Sequence, residues 1–93
     1  MKKLNPIIHS ALRLAVISLL ITLEEADFNL ILSETKSTAG NLSVQLTKLE
    51  KVGYITIDKT FKGKKPNTVC KITKKGIREF DVYVKNLKSY LNI

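Results

Sequence analysis

Leu42, Leu46 and Leu49 recur at the spacing that lines one face of an α-helix. Thr38 stands before that run as an N-cap and Gly53 follows it as a stop, so a helix is predicted over about Ala39 to Lys51. A second periodic set, Ile77, Phe80, Val84, Leu87 and Leu91, alternates steps of three and four. It predicts a helix from Lys74 to about Leu91, capped by Thr73, with a continuous seam suited to packing against another helix. Gly76 is expected only to weaken the first turn of that helix slightly. Between the two, Tyr54 to Asp58 alternates apolar and polar residues as a half-buried strand does, and Thr68 to Ile72 reads as its return. The Gly, Pro and Asn of Lys59 to Asn67 (KTFKGKKPN) predict the hairpin tip, with Pro66 stiffening the turn and Phe61 anchoring the hairpin to the core rather than touching a base.

The N-terminal third opens on Asn5-Pro6, an N-cap residue followed by Pro at the first helical position, which predicts a helix from about Pro6 to Leu23. Its apolar residues cover nearly the whole circumference, so it is expected to be buried on more than one side. The run Leu14 to Leu23 after Met1-Lys2-Lys3 superficially imitates a secretory signal, but polar residues interrupt the approach and no small-residue cleavage site follows. It is also too short for a bilayer, which needs about 20 residues. The expectation is a core helix of a soluble, cytoplasmic protein. Glu24-Glu25-Ala26-Asp27 reads as a solvated acidic connector, and Asp27 as the cap of a short helix from Phe28 to about Thr35 with Phe28, Leu30, Ile31 and Leu32 as its apolar set.

The resulting order of helix, short helix, turn, helix, hairpin and helix is that of a winged helix-turn-helix. The fold class is mainly α with a small β-hairpin (α+β), in the order α-α-α-β-wing-β-α. The 93 residues predict a single domain, with the helix-turn-helix at about 28–52, the wing at about 54–72, and terminal helices for core and dimerisation. A chain this short has too little interior to hide both the first helix and the seam of the last, so a homodimer is expected, with Ile77, Phe80, Val84, Leu87 and Leu91 at the interface and Tyr83 and Tyr90 beside them.

Charge changes the picture from fold to partner. The whole chain carries a net charge of +8, and the window Lys36 to Lys75 alone accounts for that amount, with ten lysines against Glu50 and Asp58. A predicted helix and a predicted hairpin tip charged together suit a polyanion, and double-stranded DNA is the expected partner. The leucine stripe turns the other side of the third helix outward. Near its N-terminus Thr38, Asn41, Ser43, Val44 and Gln45 are placed to reach base edges; Asn and Gln suit adenine, and Val a thymine methyl. Lys48 and Lys51 lie further back, where phosphates are expected, and Gly40 lets a phosphate approach the backbone. Lys62, Lys64 and Lys65 of the wing are expected at phosphates or beside the minor groove.

Three segments also carry a family resemblance: GNLSVQLTKLEKVGYI (Gly40 to Ile55), the wing KTFKGKKPNT (Lys59 to Thr68) and ITKKG (Ile72 to Gly76). Together with Ile8-His9 and Arg13-Leu14 near the N-terminus, they resemble the MarR/ArsR-type winged-helix transcriptional regulators, in particular a group of short, stand-alone ones. The resemblance covers nearly the whole chain and implies a homodimer that binds an operator and represses or activates transcription. Gln45 stands where such sequences often have His, so no base preference transfers.

Chemistry of other kinds finds no support in the sequence. His9 is the lone histidine, a residue of structural character on an apolar helix, and Cys70, the lone cysteine, reads as an inert buried residue with no disulfide partner in the chain. No phosphate-binding loop, nucleophile elbow or paired acid site is present, so no catalytic residue, metal or cofactor is expected, and the sequence names no effector ligand. Two alternatives remain beside the sequence-specific regulator acting on a palindromic operator. A protein–protein interaction module would carry apolar or acidic residues on the third helix and wing, where lysines and polar residues stand instead. A non-specific nucleic-acid-binding accessory protein would carry a uniformly basic helix face.

Overall fold

The computed structural model describes residues 2–93. Its elements are α1 (Ala11–Leu23), β1 (Glu25–Asp27), α2 (Phe28–Thr35), α3 (Ala39–Lys51), β2 (Ile55–Lys62), β3 (Lys65–Ile72) and α4 (Lys74–Leu91). The three strands form one antiparallel sheet in the order β1-β3-β2. This is a winged helix fold with one strand more than the sequence pattern predicts.

Local chemistry sets the helix limits. The Asp27 carboxylate accepts from the Leu30 amide at 2.8 Å, Thr38 Oγ1 from the Asn41 amide at 3.3 Å, and Thr73 Oγ1 from the Gly76 amide at 3.0 Å. These caps satisfy amides that the first helical turn cannot. They place α2, α3 and α4 over the expected residues. α2 ends on Lys36 in the left-handed conformation, and α3 is released at Gly53 with φ +83.

The first helix begins five residues later than predicted. Asn5 Oδ1 does accept from the Ile7 amide at 2.8 Å and the His9 amide bonds the Asn5 carbonyl, but this makes only one turn over residues 6–8. Ser10 then goes extended, at φ −152, and its amide turns back to the Ile8 carbonyl. The Ile7 carbonyl, which a continuing helix would offer to residue 11, accepts instead from Nε of Arg13 at 2.6 Å. The expected circumferential burial of α1 holds: Val16, Ile17 and Leu20 are fully buried, and Leu12, Leu14, Leu19 and Ile21 pack against the core.

The acidic connector is a strand rather than a solvated link. β1 pairs with β3 through Glu25–Lys71, Ala26–Cys70 and Asp27–Val69, and buries Ala26. The hairpin tip is also far shorter than predicted. Lys59–Lys62 and Lys65–Asn67 are paired strand, and the turn is Gly63-Lys64 alone. Gly63 has φ +68 and Lys64 does not share it, the sign pattern of a type II′ hairpin. Pro66 therefore lies in a strand, opposite Phe61, beyond the reach of β1.

Leu42, Leu46 and Leu49 of α3 meet Ile31 of α2, Ile55 of β2 and Cys70 of β3 in one buried cluster with α1. Leu30 of α2, counted with the apolar set, is instead exposed. Tyr83 is only 2% exposed, and its hydroxyl is hydrogen-bonded to Nδ1 of His9 at 2.9 Å. It is thus consumed inside the protomer and is withdrawn from the expected dimer surface. His9 takes the structural role expected of it.

Candidate nucleic-acid interface

The leucine stripe that fixes α3 in the core leaves the opposite side free. Thr38, Gly40, Asn41, Ser43, Val44, Thr47, Lys48 and Lys51 are exposed, with Val44 at 51%. Gln45 is half-buried at the edge of this face. It is held there: its Oε1 accepts from Nη1 of Arg13, and its Nε2 donates to Oδ1 of Asn41 at 3.0 Å. The structure thus gathers all five expected base-reading residues at one end of α3 and both of its lysines toward the other. No pattern in the sequence points to Arg13 as their support, because it stands on another element.

The wing carries the second half of the site. Lys62, Lys64 and Lys65 are exposed, and the register sets Lys62 directly across from Lys65. Like charges facing one another across a hairpin are unfavourable, and a phosphate lying between them relieves the repulsion. The single ion pair among the described residues, Lys85 with Asp81 at 3.1 Å, lies on α4. The lysines of α3 and the wing therefore keep their charge free of carboxylate partners.

Phe61 departs from expectation. It does not anchor the hairpin; it is 71% exposed. Strand alternation puts it on the same face as Lys59 and Ile57, with Pro66 and Thr68 as cross-strand partners. That face leads inward to a cleft of about 340 Å³ lined by Phe28, Ser43, Leu46, Thr47, Ile57, Lys59 and Thr68. Phe61 thus stands at the outer end of the wing surface that turns toward α3.

Burial pushes the Cys70 thiol from 9.0 to about 11, with the Glu50 charge adding to the effect, so the thiol stays protonated and unreactive. Among the described residues, no group of three or more His, Cys, Asp or Glu side chains is placed to hold a metal, and no helix is long and apolar enough to cross a membrane.

A basic wing, a capped helix-turn-helix and an outward polar face on its second helix define a DNA-binding winged helix. Comparison with known sequences agrees: the chain belongs to the winged helix DNA-binding domain family, whose sequence profile matches residues 12–91. An uncharacterized protein of Methanocaldococcus jannaschii is 35% identical over 78 residues, covering 84% of this chain and 85% of that protein. Among solved structures, the transcriptional regulator homologue from Pyrococcus horikoshii OT3 superposes with a TM-score of 0.86 at 28% identity, over 92% of this chain and 85% of the other. NadR, solved in complex with 4-hydroxyphenylacetate, shares the fold with a TM-score of 0.73 at 20% identity, over 94% of this chain and 64% of its own.

Proposed function

We propose that this protein is a MarR-like transcriptional regulator that binds a palindromic DNA operator as a homodimer in the cytoplasm. The whole chain acts as one winged-helix unit. The observation that carries this reading is the division of charge across the exposed surface. An uncharged polar patch at the start of α3 is flanked by free lysines, Lys48 and Lys51 behind it and Lys62, Lys64 and Lys65 on the wing. Phosphates on either side of a groove need the lysines; base edges in its floor need the polar patch. A surface meant only for non-specific binding would have no use for that uncharged centre.

In this reading α3 enters the major groove by its N-terminal half, with Thr38, Asn41, Ser43, Val44 and Gln45 toward the bases. Gly40 leaves the backbone open to a phosphate, since a Cβ there would meet nothing within 4 Å. The wing lies along the neighbouring backbone, where Phe61 and Pro66 offer an apolar ridge to the deoxyribose and minor groove.

Support for dimerisation comes from what α4 leaves uncovered. Phe80, Val84 and Leu87 are half-buried against the protomer's own core, whereas Ile77, Val82, Tyr90 and Leu91 are exposed at 48%, 46%, 41% and 57%. Leu23 at the end of α1 adds 43%. Pairing through these helices leaves both copies of α3 free. A two-fold axis would set them about 34 Å apart, one turn of DNA. The test is selection of bound duplexes from a random pool by the purified protein. Enrichment of an inverted repeat with half-sites about 10 base pairs apart supports the reading, and an unenriched pool contradicts it.

A further inference from the structure

Arg13 reaches from the first turn of α1 to α3. Its Nε donates to the Ile7 carbonyl at 2.6 Å, its Nη2 to the Pro6 carbonyl at 3.4 Å, and its Nη1 to Oε1 of Gln45. Gln45 Nε2 donates in turn to Oδ1 of Asn41, one helical turn nearer the start of α3. The direction of this relay is forced. A guanidinium carries only donors, so the Gln45 atom that faces it is the oxygen. The Gln45 nitrogen then faces Asn41, and Asn41 must answer with its own oxygen. What remains uncommitted on the two amides is mostly N–H: both hydrogens of Asn41 Nδ2 and one of Gln45 Nε2, against a single lone pair on each oxygen.

That polarity bears on which base is read. An amide recognises adenine by accepting from N6 while donating to N7. Here each carbonyl oxygen already accepts one bond inside the protein, so the pair offers three free donors against two half-used acceptors. Guanine presents two acceptors, N7 and O6, on its major-groove edge and so matches a donor surface. Resting on the regulator reading above, we propose that Arg13 is a specificity-determining positioning residue. By polarising the Gln45–Asn41 pair, it makes the start of α3 read guanine rather than adenine. Arg13 is half-buried, and its other two nitrogens each donate to a carbonyl of the N-terminal turn, so the relay is fastened at its origin.

The test is base preference, measured by selection from random duplexes and by competition between duplexes differing at one base. The position concerned is the one at which Asn41→Ala abolishes discrimination. The unmodified protein is expected to prefer guanine there over adenine by about tenfold or more. Arg13→Met keeps an aliphatic stem but removes every donor; the Gln45 amide can then turn over, and the preference should shrink to within about twofold. Arg13→Lys keeps a donor for Gln45 and should restore it.

Because Arg13→Met also frees the N-terminal turn, Gln45→Glu provides a variant whose fold is not at stake. It keeps the acceptor for Arg13 but removes the donor to Asn41. Asn41 then turns its nitrogen inward and presents its oxygen, moving the preference from guanine to adenine or cytosine, the bases with a donor on that edge. An adenine preference in the unmodified protein overturns the inference, and so does a guanine preference retained in Gln45→Glu or in a folded Arg13→Met. Absence of binding to any duplex at about 50 mM salt overturns the regulator reading itself, and the inference with it.

Discussion

A Cβ added to Gly76 would lie 2.3 Å from the carbonyl oxygen of Tyr54. The same carbonyl accepts from the Thr73 amide at 3.1 Å and from Thr73 Oγ1 at 3.0 Å, and Thr73 Oγ1 also bonds the Gly53 carbonyl at 2.7 Å. The first turn of α4 is thereby clamped onto the chain leaving α3, with no room for a side chain between them.

Gly76→Ala should therefore destabilise the protein, although alanine favours a helix by about 1 kcal/mol over glycine. Overpacking against backbone costs about 1–3 kcal/mol or more, and here it meets backbone rather than a flexible side chain. A fall in Tm of roughly 10 °C is expected in thermal denaturation, since each kcal/mol shifts a domain of this size by about 4–8 °C. An unchanged or raised Tm would show that α4 can move away freely.

Removing two wing charges separates positioning from reading. Lys64→Ala with Lys65→Ala should weaken all duplexes alike and flatten the slope of log affinity against log salt by about one to two units. The free protein should gain slightly in stability, because Lys62 no longer faces a like charge across the hairpin. A changed base preference in the double variant would assign the wing a reading role.

Phe61→Ala tests the exposed aromatic. At 71% exposure its loss should change folding stability by no more than about 0.5 kcal/mol. Duplex affinity should fall by roughly tenfold if the ring rests in the minor groove. A large loss of stability with unchanged affinity would mean that the ring supports the hairpin.

The proposed dimer is best probed at exposed positions. Leu87 packs against the core, so a charge there would also attack the protomer. Ile77→Glu with Leu91→Glu should leave the fold intact and yield monomers on sedimentation that bind a full operator no better than a half-site. Dimers that survive the double substitution would place the interface elsewhere.

How legible each feature was depended on how local its cause is. α2, α3 and α4 could be delimited because Asp27, Thr38 and Thr73 cap them from within the same stretch of chain, and the leucine stripe marks the inward side of α3. β1 was not legible: it is three residues long, two of them acidic, and only Ala26 is buried. The wing strands were hidden because a run of Lys, Gly, Pro and Asn looks like a loop until register pairs it. The delayed start of α1 and the placement of Gln45 both depend on Arg13, whose partner on α3 lies 32 residues away. Gly76 reads as a mild helix weakness in sequence and becomes a requirement only when Tyr54 is packed against it.

Sequence-specific DNA binding is tested most directly by titrating the unmodified protein, at about 50 mM and then about 200 mM salt, against its selected duplex and a scrambled duplex of equal length. The expected result is a preference of at least about 10³-fold for the selected duplex, with affinity for both falling steeply as salt rises. Equal affinity for the two duplexes at both salt concentrations would contradict it.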